Sequence, residues 1–266
     1  MNHLAINCPF HNRLAVLADL LVVYGGGESM NGSGKAIVFT QTKADANQLI
    51  LTDKIKEDVE VMHGDIGQNQ REVTLKRFKE GKFNVLVATD VASRGLDIPN
   101  VDLVIQVEPP TDAETYIHRS GRTARAGNSG TCITFFTKKT QAQIQMIETQ
   151  AGIKFKIIGA PQPEDVIRSS ARGIMKKLEE VSDNVLEFFS DASKQLAEKF
   201  HGDKDKALQA CLAYLSGHFK TTMVNRSLLS GQEKQTTLEM TFEPAPKGIS
   251  AIDQAWQYIQ DAIPLK

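Results

Sequence analysis

The chain has 266 residues, a formal net charge of −1 and three cysteines. That length suits one or two domains with a core that needs no covalent staples, and the near-neutral charge excludes a basic nucleic-acid coat, so any nucleic-acid contact must come from a local patch. Cys8, Cys132 and Cys211 are odd in number and far apart, which fits free thiols in a reducing, intracellular compartment better than a disulfide framework or a zinc site. No apolar run approaches the about 18 residues of a membrane span. The amino terminus has neither a secretory apolar core nor the composition of a transit peptide.

In chain order, Ala15 to Tyr24 reads as a helix with Leu14, Leu17, Ala18 and Leu21 on one side. Gly25-Gly26-Gly27 and Asn31-Gly32-Ser33-Gly34 form a loop before the first strand. Strands are expected at 36–40, 58–62, 84–88, 101–107, 130–136 and 154–158, with helices at about 43–53, 68–80, 112–120 and 140–150. Alternation at this spacing predicts an α/β fold: βαβ units in a parallel sheet with helices on both faces. Gly32-Ser33-Gly34-Lys35 has the look of a phosphate-binding loop. It lacks the required glycine at Ser29 and the required hydroxyl at Ala36, and it enters a strand, so it reads as a surface linker.

Beyond Gly159-Ala160-Pro161-Gln162-Pro163 the strand pattern stops. Amphipathic helical segments follow near 164–180, 184–200 and 204–216, carrying Leu178, Val181, Val185, Phe188 and Phe189, then Leu196, Phe200, Leu208, Leu212 and Leu215. A small all-α domain of residues 161–222 is too short to hide all of these by itself. The surplus must pack on the preceding domain or on a partner, and a homodimer through 164–220 is the expectation. Further on, one strand pattern, Thr236 to Phe242, and one helix pattern, Ile249 to Ile263, do not make an independent fold. Residues 223–266 therefore read as the truncated start of another domain.

Two stretches carry the chemistry. Val87-Ala88-Thr89-Asp90-Val91-Ala92-Ser93-Arg94-Gly95-Leu96-Asp97-Ile98-Pro99 puts a hydroxyl and a carboxylate at the carboxyl end of an apolar strand, where open α/β sheets place ligands. Tyr116-Ile117-His118-Arg119-Ser120-Gly121-Arg122-Thr123-Ala124-Arg125-Ala126-Gly127 spaces arginines at 119, 122 and 125. On a continuous helix that spacing stacks the guanidinium forks along one face, a row suited to phosphate oxygens. Together these stretches resemble motifs V and VI of the superfamily 2 helicases, specifically the DEAD-box RNA helicases. Ala36-Ile37-Val38-Phe39-Thr40-Gln41-Thr42-Lys43 is similar to motif IV. His63-Gly64-Asp65, with Gln70-Arg71-Glu72 and Phe78, is similar to the adjoining motif IVa. Residues 161–230 resemble a narrower subgroup of nucleolar Gu-type helicases, plant organelle helicases and a bacterial heat-resistant RNA-dependent ATPase. Pro161-Gln162-Pro163-Glu164-Asp165-Val166-Ile167, Leu215-Ser216-Gly217 and Arg226-Ser227-Leu228-Leu229 carry that likeness.

The resemblance implies that 1–160 is the second RecA-like lobe of an ATP-dependent RNA helicase, that the 164–220 region dimerises, and that 223–266 opens an RRM-like RNA-binding domain. Arg122 and Arg125 match arginines that reach the ATP phosphates across the cleft between lobes. Asp97 matches the acid that holds the ribose, with Gly95 beside it. His118, Arg119 and Asp90 match positions that couple the nucleotide site to the RNA site. Thr89, Arg71, Gly64, Thr40, Thr42 and Arg94 match or adjoin contacts to the RNA backbone. Position 124 is Ala where the family often has Gly, a change expected to be neutral at a helical position. The Walker A, Asp-Glu-Ala-Asp and Ser-Ala-Thr motifs do not occur in the chain. Mg²⁺ and the attacking water are therefore expected on the missing amino-terminal RecA-like lobe, and this chain alone is expected to be inactive. The likeness points to a nucleolus, a mitochondrion or chloroplast, or a bacterial cytoplasm. The rival is a non-catalytic RNA-binding scaffold on the same fold, and the presence of Arg122, Arg125 and Asp97 argues against it.

Overall fold

A computed structural model describes residues 1–25, 34–50, 59–90, 101–124 and 130–219, all within one compact unit, Met1–Thr236. The sheet comprises β1 (Asn2–Asn7), β2 (Ala36–Thr40), β3 (Val59–Met62), β4 (Val85–Thr89), β5 (Leu103–Gln106), β6 (Thr131–Phe136) and β7 (Lys156–Ile158). Its order is β3-β4-β2-β5-β6-β1-β7, and every neighbouring pair is parallel. This is the α/β sheet expected from the alternation of elements. β1 was not anticipated: its apolar content is only Leu4, Ala5 and Ile6 between asparagines, too short a run to announce a strand that pairs on both sides.

Successive side chains of a strand face opposite sides of the sheet, and the core divides accordingly. Val38, Val85, Val87, Ile105, Ile133 and Phe135 line one face, packed with α1 (Arg13–Gly25) and α2 (Lys43–Ile50). Ile37, Phe39, Leu86, Ala88, Val104 and Cys132 line the other, packed with α3 (Gln68–Lys79), α4 (Ala113–Ser120) and α5 (Gln141–Ala151). Because both faces are covered, β2, β4 and β5 are buried at every position, which explains their unbroken apolar runs. Helix α1 buries Val16, Leu17, Leu20 and Leu21. Its apolar stripe is thus rotated from the expected Leu14–Leu17–Ala18–Leu21 line, since Leu14 and Ala18 are only half-buried. Each such fully buried side chain contributes about 1.5–3 kcal/mol relative to exposure.

The helical extension begins with α6 (Pro163–Leu178). Pro163 supplies the first helical turn with no wasted donor, and Gln162 and Asp165 form a reciprocal capping box. This helix docks on α1: Val166 and Ser169 are buried, and the Ser169 hydroxyl donates to the Val22 carbonyl at 2.9 Å. The helix expected over 184–200 is broken into α7 (Asp183–Leu186), a 3₁₀ turn at Glu187–Phe189, and α8 (Ser190–Lys199). His201 and Gly202, both at positive φ, turn the chain into α9 (Lys204–Leu215). The expected loop at 26–33, the far end of the 43–53 helix and the segment 223–266 lie outside the described residues. Among the described residues no helix is long and apolar enough to cross a membrane, and the three cysteines are free thiols, as expected.

Candidate functional site

Thr40 and Thr89 end the adjacent strands β2 and β4 and are register partners, both buried. The Thr40 hydroxyl donates to the Thr42 carbonyl at 3.1 Å. Thr42 in turn caps α2: its hydroxyl accepts the Asp45 N–H at 3.1 Å and donates to the Asp45 carboxylate at 2.6 Å. Both hydroxyls of this stretch therefore already hold the backbone turn. One strand over, β3 runs into His63-Gly64-Asp65. Arg71, in the first turn of α3, reaches back and donates Nη2 to the Gly64 carbonyl at 3.0 Å. Its Nε is buried without an acceptor, so this guanidinium keeps a donor unmet beside an exposed glycine. Lys43 bonds Asp65 at 2.7 Å, and that hydrogen bond and charge hold the Asp65 carboxyl below the usual range. Lys35, from the P-loop-like stretch, donates Nζ to the Lys79 carbonyl and leads into β2, as a linker residue would.

Helix α4 starts where Asp112 accepts the Thr115 N–H at 2.7 Å. It ends at Ser120, with Gly121 as its cap. Arg119 is 3% exposed and is held on every side. Its Nε and Nη2 donate to the two Asp90 oxygens at 2.7 and 2.6 Å, its Nη1 donates to Gln106 Oε1 at 3.3 Å, and its guanidinium lies 5.3 Å from the Phe39 ring centroid. The bidentate fork joins α4 to the end of β4 with the strongest geometry available to an ion pair. His118, the preceding residue, is exposed.

The expected row of three arginines on one helix face does not form. The helix stops before Arg122, whose N–H donates to the Arg119 carbonyl at 3.1 Å and whose carbonyl accepts the Val101 N–H at 2.9 Å. The next residue, Thr123, bridges Val101 in parallel, so the chain leaves the helix to run toward the sheet. Arg122 is half-buried in that turn. The expectation for position 124 also needs correction: Ala124 has φ 59°, a left-handed conformation and not a helical one. An L-residue with a Cβ is disfavoured there by about 1–2 kcal/mol, which is a physical reason for glycine at this position. Gly130 faces the same turn. A Cβ on it would lie 2.1 Å from the Thr123 hydroxyl and 2.5 Å from the Ala124 nitrogen, so no larger residue fits.

Arg94, Gly95, Asp97 and Arg125 lie outside the described residues. Gln106, which closes the Arg119 clamp, was not singled out beforehand, and its one signal was a polar residue ending the apolar run Leu103-Val104-Ile105. Among the described residues no group of three or more His, Cys, Asp or Glu side chains could hold a metal ion.

Residues 12–127 match the family described as the helicase conserved C-terminal domain, and residues 162–215 match the DDX21/DDX50 dimerisation domain. The nucleolar RNA helicase 2 of Mus musculus is 43% identical over 265 residues, which cover 99% of this chain and 30% of that protein. The chloroplastic DEAD-box ATP-dependent RNA helicase 3A of Zea mays is 45% identical over 240 residues, covering 90% of this chain and 31% of the relative. The chain thus spans about a third of the length of these curated relatives. The solved C-terminal domain of the DEAD-box protein Dbp5 is 31% identical with a TM-score of 0.55, covering 62% of this chain and 94% of that one.

Proposed function

We propose a function from the fact that this chain belongs to the DEAD-box helicase family: it is the lobe that presents arginines to ATP and a phosphate track to RNA in an intact RNA-stimulated ATPase. The Arg119–Asp90 fork carries this reading. It ties the motif VI helix to the end of the motif V strand, beside the Thr40–Thr89 pair, at the carboxyl ends of the central strands. Arg119 is turned inward onto Asp90, whereas Arg122 and Arg125 match the motif VI positions whose planar guanidinium forks suit phosphate oxygens.

In this reading Arg122 and Arg125 offset the charge that develops during phosphoryl transfer, and such a cation acts mainly in the transition state. Asp97 and Gly95 hold the nucleoside end. Arg71 and Gly64 match contacts to the RNA backbone, and Thr89, Thr40, Thr42 and Arg94 match or adjoin further ones. Arg71→Ala should weaken binding to unrelated RNA sequences about equally, because backbone contacts carry no sequence code. Mg²⁺ belongs to the amino-terminal RecA-like lobe, whose motifs this chain lacks. The compartment is a nucleolus or an organelle, on the names of the relatives at 43% and 45% identity.

The extension adds self-association. Phe188 is 87% and Phe189 60% exposed, and Leu186 and Leu215 lie open as well. Contiguous apolar exposure of this kind marks a partner site, and the match to a dimerisation domain over 162–215 supports a second copy as the partner. The activity reading is tested by ATP hydrolysis with and without RNA. The intact protein should show RNA-stimulated turnover and the purified 266-residue chain none; turnover by the chain itself would sink the division of labour.

A further inference from the structure

A glutamine in the middle of a parallel sheet is costly unless both ends of its amide are bonded. Gln106 is fully buried, and its register neighbours are Phe39 on β2 and Thr134 on β6. Both amide ends are used. Its Oε1 accepts Arg119 Nη1 at 3.3 Å, and its Nε2 donates to Cys132 Sγ at 3.4 Å. A guanidinium has no acceptor, so the amide has one possible orientation while Arg119 stands beside it. Behind Cys132 lies Tyr116, whose hydroxyl bonds His3 Nδ1 at 2.6 Å. Tyr116 and Arg119 are one turn apart on α4. A chain of side chains therefore runs from His3 on β1 through Tyr116 on α4, Cys132 on β6 and Gln106 on β5 to Arg119, and ends on the partly exposed Asp90.

We propose that Gln106 is a positioning residue for the ATPase: it holds the Arg119 guanidinium in the one orientation whose fork fixes Asp90, and so ties the end of α4, where Arg122 follows, to the end of β4. The proposal rests on the function given above. Three of the Arg119 nitrogens are engaged, two by Asp90 and one by Gln106, and Gln106 is the partner that comes from the rigid centre of the sheet. Asp90 directly follows β4 and precedes Asp97 in the chain by seven residues. The Arg119 carbonyl holds the Arg122 N–H. Rotation of the Arg119 side chain would release the Asp90 carboxylate and with it the side-chain tie between β4 and the helix end from which the Arg122 turn departs. The Cys132 thiol, pushed up to about 11 by burial, stays neutral and leaves this end of the chain without a competing anion. Misplacement of a reacting group by about 1 Å costs up to about 10²-fold in rate, so a neutral amide remote from ATP has leverage on turnover.

The test uses two readouts. In this chain, the Arg119 Nη1 hydrogens, which Gln106 accepts, are followed by ¹⁵N NMR for exchange with water. Gln106→Met removes the acceptor at similar length and should speed that exchange at least about tenfold while the backbone amides of the sheet keep their shifts. Gln106→Glu keeps an acceptor toward Arg119 and should retain slow exchange. In the intact protein, Gln106→Met should lower RNA-stimulated kcat about tenfold or more with the KM for ATP within about twofold, and Gln106→Glu should recover part of the loss. Arg119 protection and kcat both unchanged in Gln106→Met would overturn the proposal, as would equal losses in the Met and Glu variants. If Gln106→Met does not fold, Gln106→Glu decides alone, and free exchange at Arg119 in that variant overturns it. An intact wild-type protein without RNA-stimulated hydrolysis would remove the functional premise, and the exchange comparison would still decide whether Gln106 holds Arg119.

Discussion

The sheet lobe and the helical extension solve burial in opposite ways. In the lobe every central strand is covered on both faces, and the buried Arg119 and Gln106 hold each other as partners. The extension docks one helix on α1 and leaves Phe188 and Phe189 in solvent. A lobe complete in itself presents a rigid row of strand ends, on which a catalytic arginine can be aimed. An extension with apolar surface to spare presents an interface, because only a further surface can cover what its short helices cannot.

The contrast breaks most readily at Arg119. Arg119→Ala strands Asp90 and Gln106 and should cost the lobe about 3 kcal/mol, near the low end for a buried pair because Asp90 is partly exposed. Denaturant unfolding followed by tryptophan-independent far-UV signal measures this; a loss under about 1 kcal/mol would show that the clamp does not hold the lobe together. The extension should respond in the opposite way. Phe188→Glu combined with Phe189→Glu should turn a dimer into a monomer in sedimentation equilibrium at micromolar concentration, with the stability of the lobe changed by no more than about 0.5 kcal/mol. A wild-type monomer, or a dimer that survives both charges, would refute the assembly. The smallest effect is expected at the turn behind Arg122. Ala124→Gly should stabilise the chain by about 0.5–1 kcal/mol by relieving a positive φ, and destabilisation there would mean that the residue is not left-handed in solution.

Much of the lobe was legible because its physics is periodic. Continuous apolar runs at β2, β4 and β5 followed from two-sided burial, and the intervening helices from their spacing. β1 was not legible, since three apolar residues between asparagines depend on β6 and β7 for their strand character. The site was half-visible. Arginine spacing pointed to Arg119 and Arg122, but a helix over both was the wrong local geometry. The cap at Gly121 and the pairing of Val101 with Thr123 are set by a strand some 20 residues earlier in the chain, beyond the reach of local pattern. Gln106 escaped for a related reason: a lone polar residue at the end of a strand acquires meaning only once Arg119 and Cys132 are placed around it. In the extension, surplus Leu and Phe were plain in the composition, whereas the break at Glu187–Phe189 was not.

In the proposed function this lobe works by aiming Arg122 at a phosphate. The most direct test is single-turnover ATP hydrolysis by the intact, RNA-saturated protein carrying Arg122→Ala, with thermal unfolding recorded in parallel. A fall in rate of about 10²–10³-fold is expected while the variant stays folded at the assay temperature, with poor rescue by Arg122→Lys, which keeps the charge and loses the planar fork. Near-normal hydrolysis in the alanine variant, or a loss of activity that merely tracks a loss of folded protein, would contradict it.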